Sequence, residues 1–293
     1  MAIFVKSMTG KAKSLLMIDE LHHYLGHVSH ERALFLVKKD LVEGIDLDLD
    51  SKPTVCESCE WAKGERKAIV KVRESERPAA VGDEIHSDLW GPAPVETINQ
   101  KKYFIGFTDG HALFTSINFL CTKDETFHSY QNYEAWMKTQ YGHKIKALRS
   151  DRGGEYLNEE FSEHLRKAGT IRKLTTHDTP EYNGVAERLN RTIMTKVRAM
   201  LHDSRLPKFL WGEAAKHAVY LKNRTWTRTL GNTTPFKVLT GKKPNLANLH
   251  PWGCKVRVHD MGGSKLDRRL KIGRWMGFDK ETGDGHRIFW AKE

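Results

Sequence analysis

Ser150-Asp151-Arg152-Gly153-Gly154-Glu155-Tyr156 opens the stretch on which the fold turns, and Thr179-Pro180-Glu181-Tyr182-Asn183-Gly184-Val185-Ala186-Glu187-Arg188 closes it. Just before it, Lys144-Ile145-Lys146-Ala147-Leu148 is an apolar, strand-like run, so Asp151 stands at a strand end beside a Gly-Gly turn. Glu187 follows the turn signal Asn183-Gly184 and falls in the first turn of a long helix. Thirty-five residues separate the two acids. A third acid, Asp88 in His86-Ser87-Asp88-Leu89-Trp90-Gly91-Pro92, ends another expected strand. Three carboxylates converging in a cleft repel one another, and divalent metal relieves that repulsion. Two Mg²⁺ (or Mn²⁺) ions held by such acids suit phosphoryl transfer. Spacing alone does not select these three from 37 acidic residues in 293; the residues around them do.

The chain is long enough for one large or two to three small domains. Apolar residues make up 39% of it and aromatics 10%, which supports a packed core and excludes a disordered chain. A net charge of +11 points to a polyanionic partner. No apolar run approaches the roughly 20 residues that span a bilayer, so no membrane partner is expected. Met1-Ala2-Ile3-Phe4-Val5-Lys6 is too short and poorly flanked for a signal peptide. Four cysteines, two of them in Cys56-Glu57-Ser58-Cys59, fit a metal site in a reducing compartment better than a disulfide framework.

Residues 1–14 show no clear period. From 18 to 38 the apolar spacing is helical, with Leu21, Leu25, Val28, Ala33, Leu34 and Val37 as core positions. His22, His23, His27 and His30 lie within it, and 28 residues separate His27 from Cys56. Two imidazoles with two thiolates suit tetrahedral Zn²⁺, closed by protein and therefore structural. So small a segment has little core of its own, and bound zinc would contribute much of its stability. At the level of spacing, His23 and His30 compete with His22 and His27 as ligands.

Residues 63–77 read as a basic, extended linker ending in Pro78-Ala79-Ala80. The next segment reads β, β, β, α, β, α, β, α, α, with strands at 84–89, 103–108, 113–119, 145–150 and 171–174. Asp109-Gly110 is a hairpin signal. The helix at 123–141 carries Phe127, Tyr130, Tyr133, Ala135, Trp136 and Met137 as a packing face, and another helix spans 158–168. Residues 175–184 lack periodicity and read as a mobile loop beside the acids. In the helix from 185 to about 203, Val185, Leu189, Ile193, Val197 and Met200 form a stripe, with Glu187, Arg191 and Arg198 opposite. A helix at 209–223 buries Phe209, Leu210, Trp211, Ala214, Ala218 and Leu221. Beyond 226, short strands at 254–259, 271–278 and 287–290 alternate with glycines in the manner of a small β-barrel. Its Lys255, Arg257, Lys265, Arg268, Arg269, Lys271 and Arg274 offer cations to a phosphate backbone.

Asp-Leu-Trp-Gly-Pro at 88–92, Ser-Asp-Arg-Gly-Gly-Glu-Tyr at 150–156 and Pro-x-x-Asn-Gly-Val-Ala-Glu-Arg-x-Asn-Arg-Thr at 180–192 resemble, in that order, the catalytic core of copia-type retrotransposon integrases. The resemblance covers nearly the whole chain. It departs at Arg152, where the family usually has Asn, and at Asp109-Gly110-His111, where it has Asp-Asp-x-Ser-Arg. It implies an RNase H-like α/β fold with a mixed five-stranded sheet and an Asp, Asp, Glu triad of Asp88, Asp151 and Glu187. Leu21-His22-x-x-Leu25-Gly26-His27 resembles the family's Trp-His-x-x-Leu-Gly-His, which selects His22 and His27 to join Cys56 and Cys59 on zinc.

The organisation implied is a zinc-binding domain at 1–70, a basic linker at 71–82, a catalytic core at 83–225 and a small β-barrel at 226–293, cut from a Gag-Pol polyprotein. The activity implied is metal-dependent 3′-end processing and strand transfer of element DNA into target DNA. Asn183, Arg188, Arg191 and Arg198 are the expected DNA contacts, with RNA as a further nucleic-acid partner. A homo-oligomer on DNA is expected, in the nucleus and in cytoplasmic particles. Two rivals are an RNase H-like nuclease using water alone and a domesticated zinc-containing nucleic-acid-binding protein without activity.

Overall fold

A computed structural model describes residues 6–7, 15–63, 77–174, 184–259, 269–279 and 285–291. The expected linker at 63–77 and the expected loop at 175–184 therefore lie almost wholly outside the described residues, as do Asn183, Lys265 and Arg268. In chain order the N-terminal elements are β1 (Lys6–Ser7), α1 (Ile18–Tyr24), α2 (His30–Lys38) and α3 (Glu57–Lys63). Then come β2 (Ile85–Trp90), β3 (Tyr103–Asp109), β4 (Thr115–Leu120), α4 (Thr126–Tyr141), β5 (Ala147–Ser150), α5 (Gly154–Leu157), α6 (Glu159–Ala168) and β6 (Ile171–Leu174). The remainder is α7 (Gly184–Ser204), α8 (Trp211–Arg224), α9 (Pro235–Thr240), β7 (Lys255–His259), β8 (Leu270–Phe278) and β9 (His286–Phe289). Two compact units result, one of residues 64–195 with 222–243, the other of 1–63, 196–221 and 244–293.

In the first unit the sheet order is β4-β3-β2-β5-β6. β2 pairs antiparallel with β3 and β3 with β4, while β2–β5 and β5–β6 are parallel. This is the mixed, RNase H-like sheet that the sequence led us to expect. Strand alternation sends Ile85, Ser87 and Leu89 to one face of β2 and His86, Asp88 and Trp90 to the other. The Ile85 face is sealed by an aromatic core in which Phe107 stacks on Tyr133 at 4.7 Å and Tyr130 meets Phe161 at 5.1 Å. Each such ring contributes on the order of 2–3 kcal/mol by leaving water. Ala135 departs from the expected packing face of α4 and is exposed. Asn158 caps α6 by accepting from Phe161 N at 2.8 Å. At the β3–β4 hairpin the buried Asp109 accepts from the backbone N–H groups of His111, Ala112 and Gly82, at 3.0, 2.6 and 2.7 Å. It is a structural acid.

In the second unit the helix expected over 18–38 is two helices. Gly26 at φ 62° closes α1, its N–H bonding to His23 O at 3.1 Å and that of His27 to His22 O at 2.8 Å. A side chain at Gly26 is excluded twice, by its left-handed φ and by Leu221, whose Cδ1 would lie 2.6 Å from a Cβ. The break resets the helical phase, so Leu36 is buried where Leu34 and Val37 were expected and are only half-buried. The C-terminal strands form an open antiparallel sheet, β1-β7-β8-β9, around the fully buried Trp275. The barrel expected there does not close among the described residues. Its outer edge is β1, with Lys6 paired to Arg257, from a stretch whose sequence shows no strand period. No helix among the described residues is long and apolar enough to cross a membrane.

Candidate functional site

β2 and β5 run parallel, with Ile85 opposite Leu148 and His86 opposite Arg149. Carried on by two residues, that register sets Asp88 level with Asp151, the residue after β5. Neighbouring strands lie about 4.8 Å apart, so both acids leave the same edge of the sheet, on the face opposite the aromatic core. Both are half-buried. The Gly153-Gly154 turn steadies Asp151, whose Oδ1 accepts from Gly153 N at 3.0 Å. Tyr156, on the core side, sits 2.8 Å from Ser87 Oγ through its hydroxyl. Burial pushes this phenol well above its ordinary range, and the charges of Asp88, Asp151 and Glu155 push it further, so it stays protonated.

Helix α7 reaches this face through Asn190, which is only 6% exposed. Its Nδ2 donates to Asp88 Oδ2 at 2.8 Å. Its buried Oδ1 has no hydrogen-bond partner among the described residues and faces Gly106, where a Cβ would come within 3.9 Å. Gly106 is the β3 partner of Asp88. Glu187 lies one turn before Asn190, a spacing that makes them neighbours on the helix surface, and it is exposed. Asp88, Asp151 and Glu187 do not close to within 4.8 Å as a group. Asp88 and Asp151, level at the ends of two neighbouring strands, offer hard carboxylate oxygens of the kind that suit magnesium. Arg188 and Arg191 are exposed on the same helix, while Arg198, also exposed, belongs to the other compact unit. Asn190 was missed from sequence because a polar residue inside a buried stripe reads as an interruption. Its positions three after Glu187 and three before the buried Ile193 were the available signal.

Glu84, just before β2 and 8% exposed, binds the face together. Arg149 donates to it through Nε at 2.6 Å and Nη2 at 3.3 Å, Lys173 Nζ at 2.6 Å, and His86 Nε2 lies 3.5 Å away. One carboxylate thus ties the strands that deliver Asp88 and Asp151 to β6. Burial alone would raise its pKa, but the hydrogen bonds and charges of Arg149 and Lys173 outweigh it and hold the carboxyl at about 2.

In the other unit the break after α1 has a chemical consequence. On an unbroken helix, His22 and His27 would diverge by about 140°. The break brings His27 Nδ1 to 3.2 Å from His22 Nε2. Cys56 Sγ lies 3.3 Å from His27 Nδ1, and Cys59 Sγ lies 3.3 Å from His22 Nε2 and 3.6 Å from His27 Nδ1. Tetrahedral zinc, at about 2.0–2.1 Å from nitrogen and about 2.3 Å from sulfur, needs ligand atoms roughly 3.3–3.8 Å apart. The four separations just given lie close to that range, while the donors that all lie within 4.8 Å of one another are those of His22, His23, His27 and Cys56. His23 Nε2 joins the same cluster but lies 4.0 Å from Cys56 Sγ. His30 is engaged by Asp19 at 2.8 Å. Burial lowers His22 to about 4, so it is a neutral imidazole, and its Nδ1 faces Val28 O at 2.6 Å, leaving the Nε2 lone pair for metal. The hydrogen bond from His23, with His27 close by, holds Asp203, in the last turn of α7, well below the usual carboxylate range.

No family model matches the chain. Over 249 residues, 85% of its length, it is 36% identical to the retrovirus-related Pol polyprotein from transposon TNT 1-94 of Nicotiana tabacum. Over 196 residues, 66% of its length, it is 29% identical to the retrovirus-related Pol polyprotein from transposon RE2 of Arabidopsis thaliana. The chain spans 18% and 13% of the length of these two relatives. Among solved structures, the HTLV-2 integrase catalytic core domain in complex with magnesium is similar at a TM-score of 0.43 and 16% identity, covering 56% of this chain and 99% of that one. A simian T-cell lymphotropic virus intasome in complex with a PP2A regulatory subunit is similar at 0.48 and 16%, covering 75% and 77%. By sequence the chain belongs with the retrovirus-related Pol polyproteins of plant transposons, of which it matches a segment.

Proposed function

We propose that the chain acts as an integrase, a metal-dependent polynucleotidyl transferase that trims the 3′ ends of element DNA and joins them to target DNA. The observation that carries this is the convergence of Asp88 and Asp151 at one level of two parallel strands, with the Glu187 helix fastened to Asp88 through Asn190. Asp88, Asp151 and Glu187 would hold magnesium, which supplies Lewis-acid stabilisation of the phosphate and a lowered pKa for the attacking oxygen. The protein's own share is positioning. The shared register fixes the two aspartates relative to each other. Asn190 orients Asp88, and the Gly153 amide orients Asp151. Arg188 and Arg191, exposed one and four residues beyond Glu187, would take the phosphates flanking the reacting one, and Arg forks suit that contact. Phosphate contacts of this kind fix register on DNA without reading sequence.

In this proposal the partners are element and target DNA, bound by an oligomer of the chain, and the nucleus is the place of action. The His22, His27, Cys56 and Cys59 centre holds one structural zinc and takes no part in the reaction. The test is joining of a labelled, pre-trimmed DNA end to plasmid, with Mg²⁺ present or chelated. Mg²⁺-dependent covalent joining, abolished in Asp151→Asn, is expected; one stabilising group removed from a transition state costs at least several hundredfold. Cleavage without joining would mark a nuclease instead, and binding with neither would mark a non-catalytic DNA-binding protein.

A further inference from the structure

Helix α7 ends with an acid in its last turn, where the negative end of the helix dipole disfavours one. Asp203 is nevertheless held there, and what compensates it is the His/Cys cluster. Its Oδ2 lies 3.4 Å from His23 Nδ1 and 3.8 Å from His27 Nε2. His27 turns Nδ1 to His22 and the two sulfurs, which leaves Nε2 facing that carboxylate. Metal-binding histidines characteristically give their second nitrogen to a carbonyl or carboxylate, which fixes tautomer and ring orientation. His22 has the carbonyl of Val28 for this purpose, and His27 has Asp203. Asp203 also reaches the thiol side, because the His23 ring it engages presents Nε2 to Cys56 Sγ at 4.0 Å. The preceding residue repeats the pattern on the cysteine helix: His202 Nδ1 lies 3.2 Å from Ser58 Oγ, and the His202 ring stacks on Trp61.

We propose that Asp203 is the outer-sphere carboxylate of the zinc centre, and that residues 202–203 form a positioning clamp across both halves of the ligand set. Zinc binding and the ordering of the last turn of α7 are then a single event. Histidine and cysteine ligands supplied near the N-terminus owe their geometry to a side chain 176 residues beyond His27.

The proposal rests on the centre taking zinc, so the metal content of full-length protein purified without chelator is measured first. One equivalent of zinc is expected; none would sink both readings. Release of zinc to a chromogenic chelator is then timed for the wild type and for Asp203→Asn, with the exposed Asp50→Asn as a surface control. Asp203→Asn should release zinc 10–100-fold faster, the usual loss for an outer-sphere partner, and the control should match the wild type. The cobalt-substituted variant should keep a tetrahedral spectrum, since the ligands themselves are unchanged. Release within twofold of the wild type would overturn the clamp while leaving the zinc reading intact. If Asp203→Asn does not fold, amide exchange on the wild type decides: stripping zinc should deprotect residues 199–204 together with 57–63, and unaltered protection of 199–204 would overturn the proposal.

Discussion

Glu84→Gln measures how far charge, as opposed to packing, holds the face that presents the acids. The carboxyl stands at about 2 in the folded chain against 4.5 in its ordinary state. That fall, at about 1.4 kcal/mol per pH unit, corresponds to about 3 kcal/mol of stability. Lys173, 41% exposed at its side chain, is partly screened by water, so about 2–3 kcal/mol is the expected size. The folded value lies below the unfolded one. The contribution is therefore complete above pH 4.5 and is lost as pH falls from there through 2. Glutamine lacks it at every pH. Urea unfolding of the two proteins, followed at intervals from pH 7 to pH 2.5, should show a gap of about 2–3 kcal/mol that is constant down to about pH 5 and closes steadily below. A gap that keeps its size at pH 2.5 would show that shape, not the Arg149–Glu84–Lys173 network, sets the stability here.

Three further outcomes are expected. Cys59→Ser should lose zinc on purification whereas His23→Ala keeps one equivalent, because Cys59 Sγ lies 3.3 and 3.6 Å from His22 and His27 while His23 lies 4.0 Å from Cys56; equal zinc loss would put His23 in the inner shell. Asn190→Asp should destabilise the protein by about 1.5–3 kcal/mol without divalent metal, by exchanging a donor to Asp88 for a like charge, and Mg²⁺ should restore part of it. Thermal melts that do not respond to Mg²⁺ would detach Asn190 from the acidic site. Arg191→Ala should weaken binding to two unrelated duplexes equally and reduce the salt slope by roughly one; an unchanged slope would mean that Arg191 holds no phosphate.

The three candidate acids stand out in the sequence because each sits in a short stretch with its own local logic, a strand end or a helix start after a turn. Their supports do not. Asn190 finds Asp88 across 102 positions, and Glu84 finds Arg149 and Lys173 across 65 and 89, distances at which no local pattern operates. The strands at the C-terminus showed in their alternation. Whether their sheet closes depends on edge hydrogen bonds, and one edge is filled by two residues near the N-terminus. The helix at 18–38 read as continuous because Leu21, Leu25 and Val28 keep helical spacing right up to the break; the left-handed conformations of Gly26 and His27 leave no periodic trace. The candidate zinc ligands stand in the sequence as two histidines and two cysteines. Choosing His22 over its neighbour His23 from the residues alone needed the 3.3 Å approach of Cys59.

The alignment of Asp88 with Asp151 depends on chain length as well as on residue type. Inserting or deleting one codon between Leu148 and Asp151 turns the carboxylate to the opposite face of the sheet, into the aromatic core. A two-codon change restores the face but slides the acid about 6.6 Å along the strand. Copies of this element scattered through a genome should therefore be inactivated at this spot by the smallest in-frame indels, while tolerating apolar exchanges at Ala147 and Leu148. Under the proposed activity, counting the residues from Leu148 to Asp151 would sort intact copies from relics even where all three acids survive.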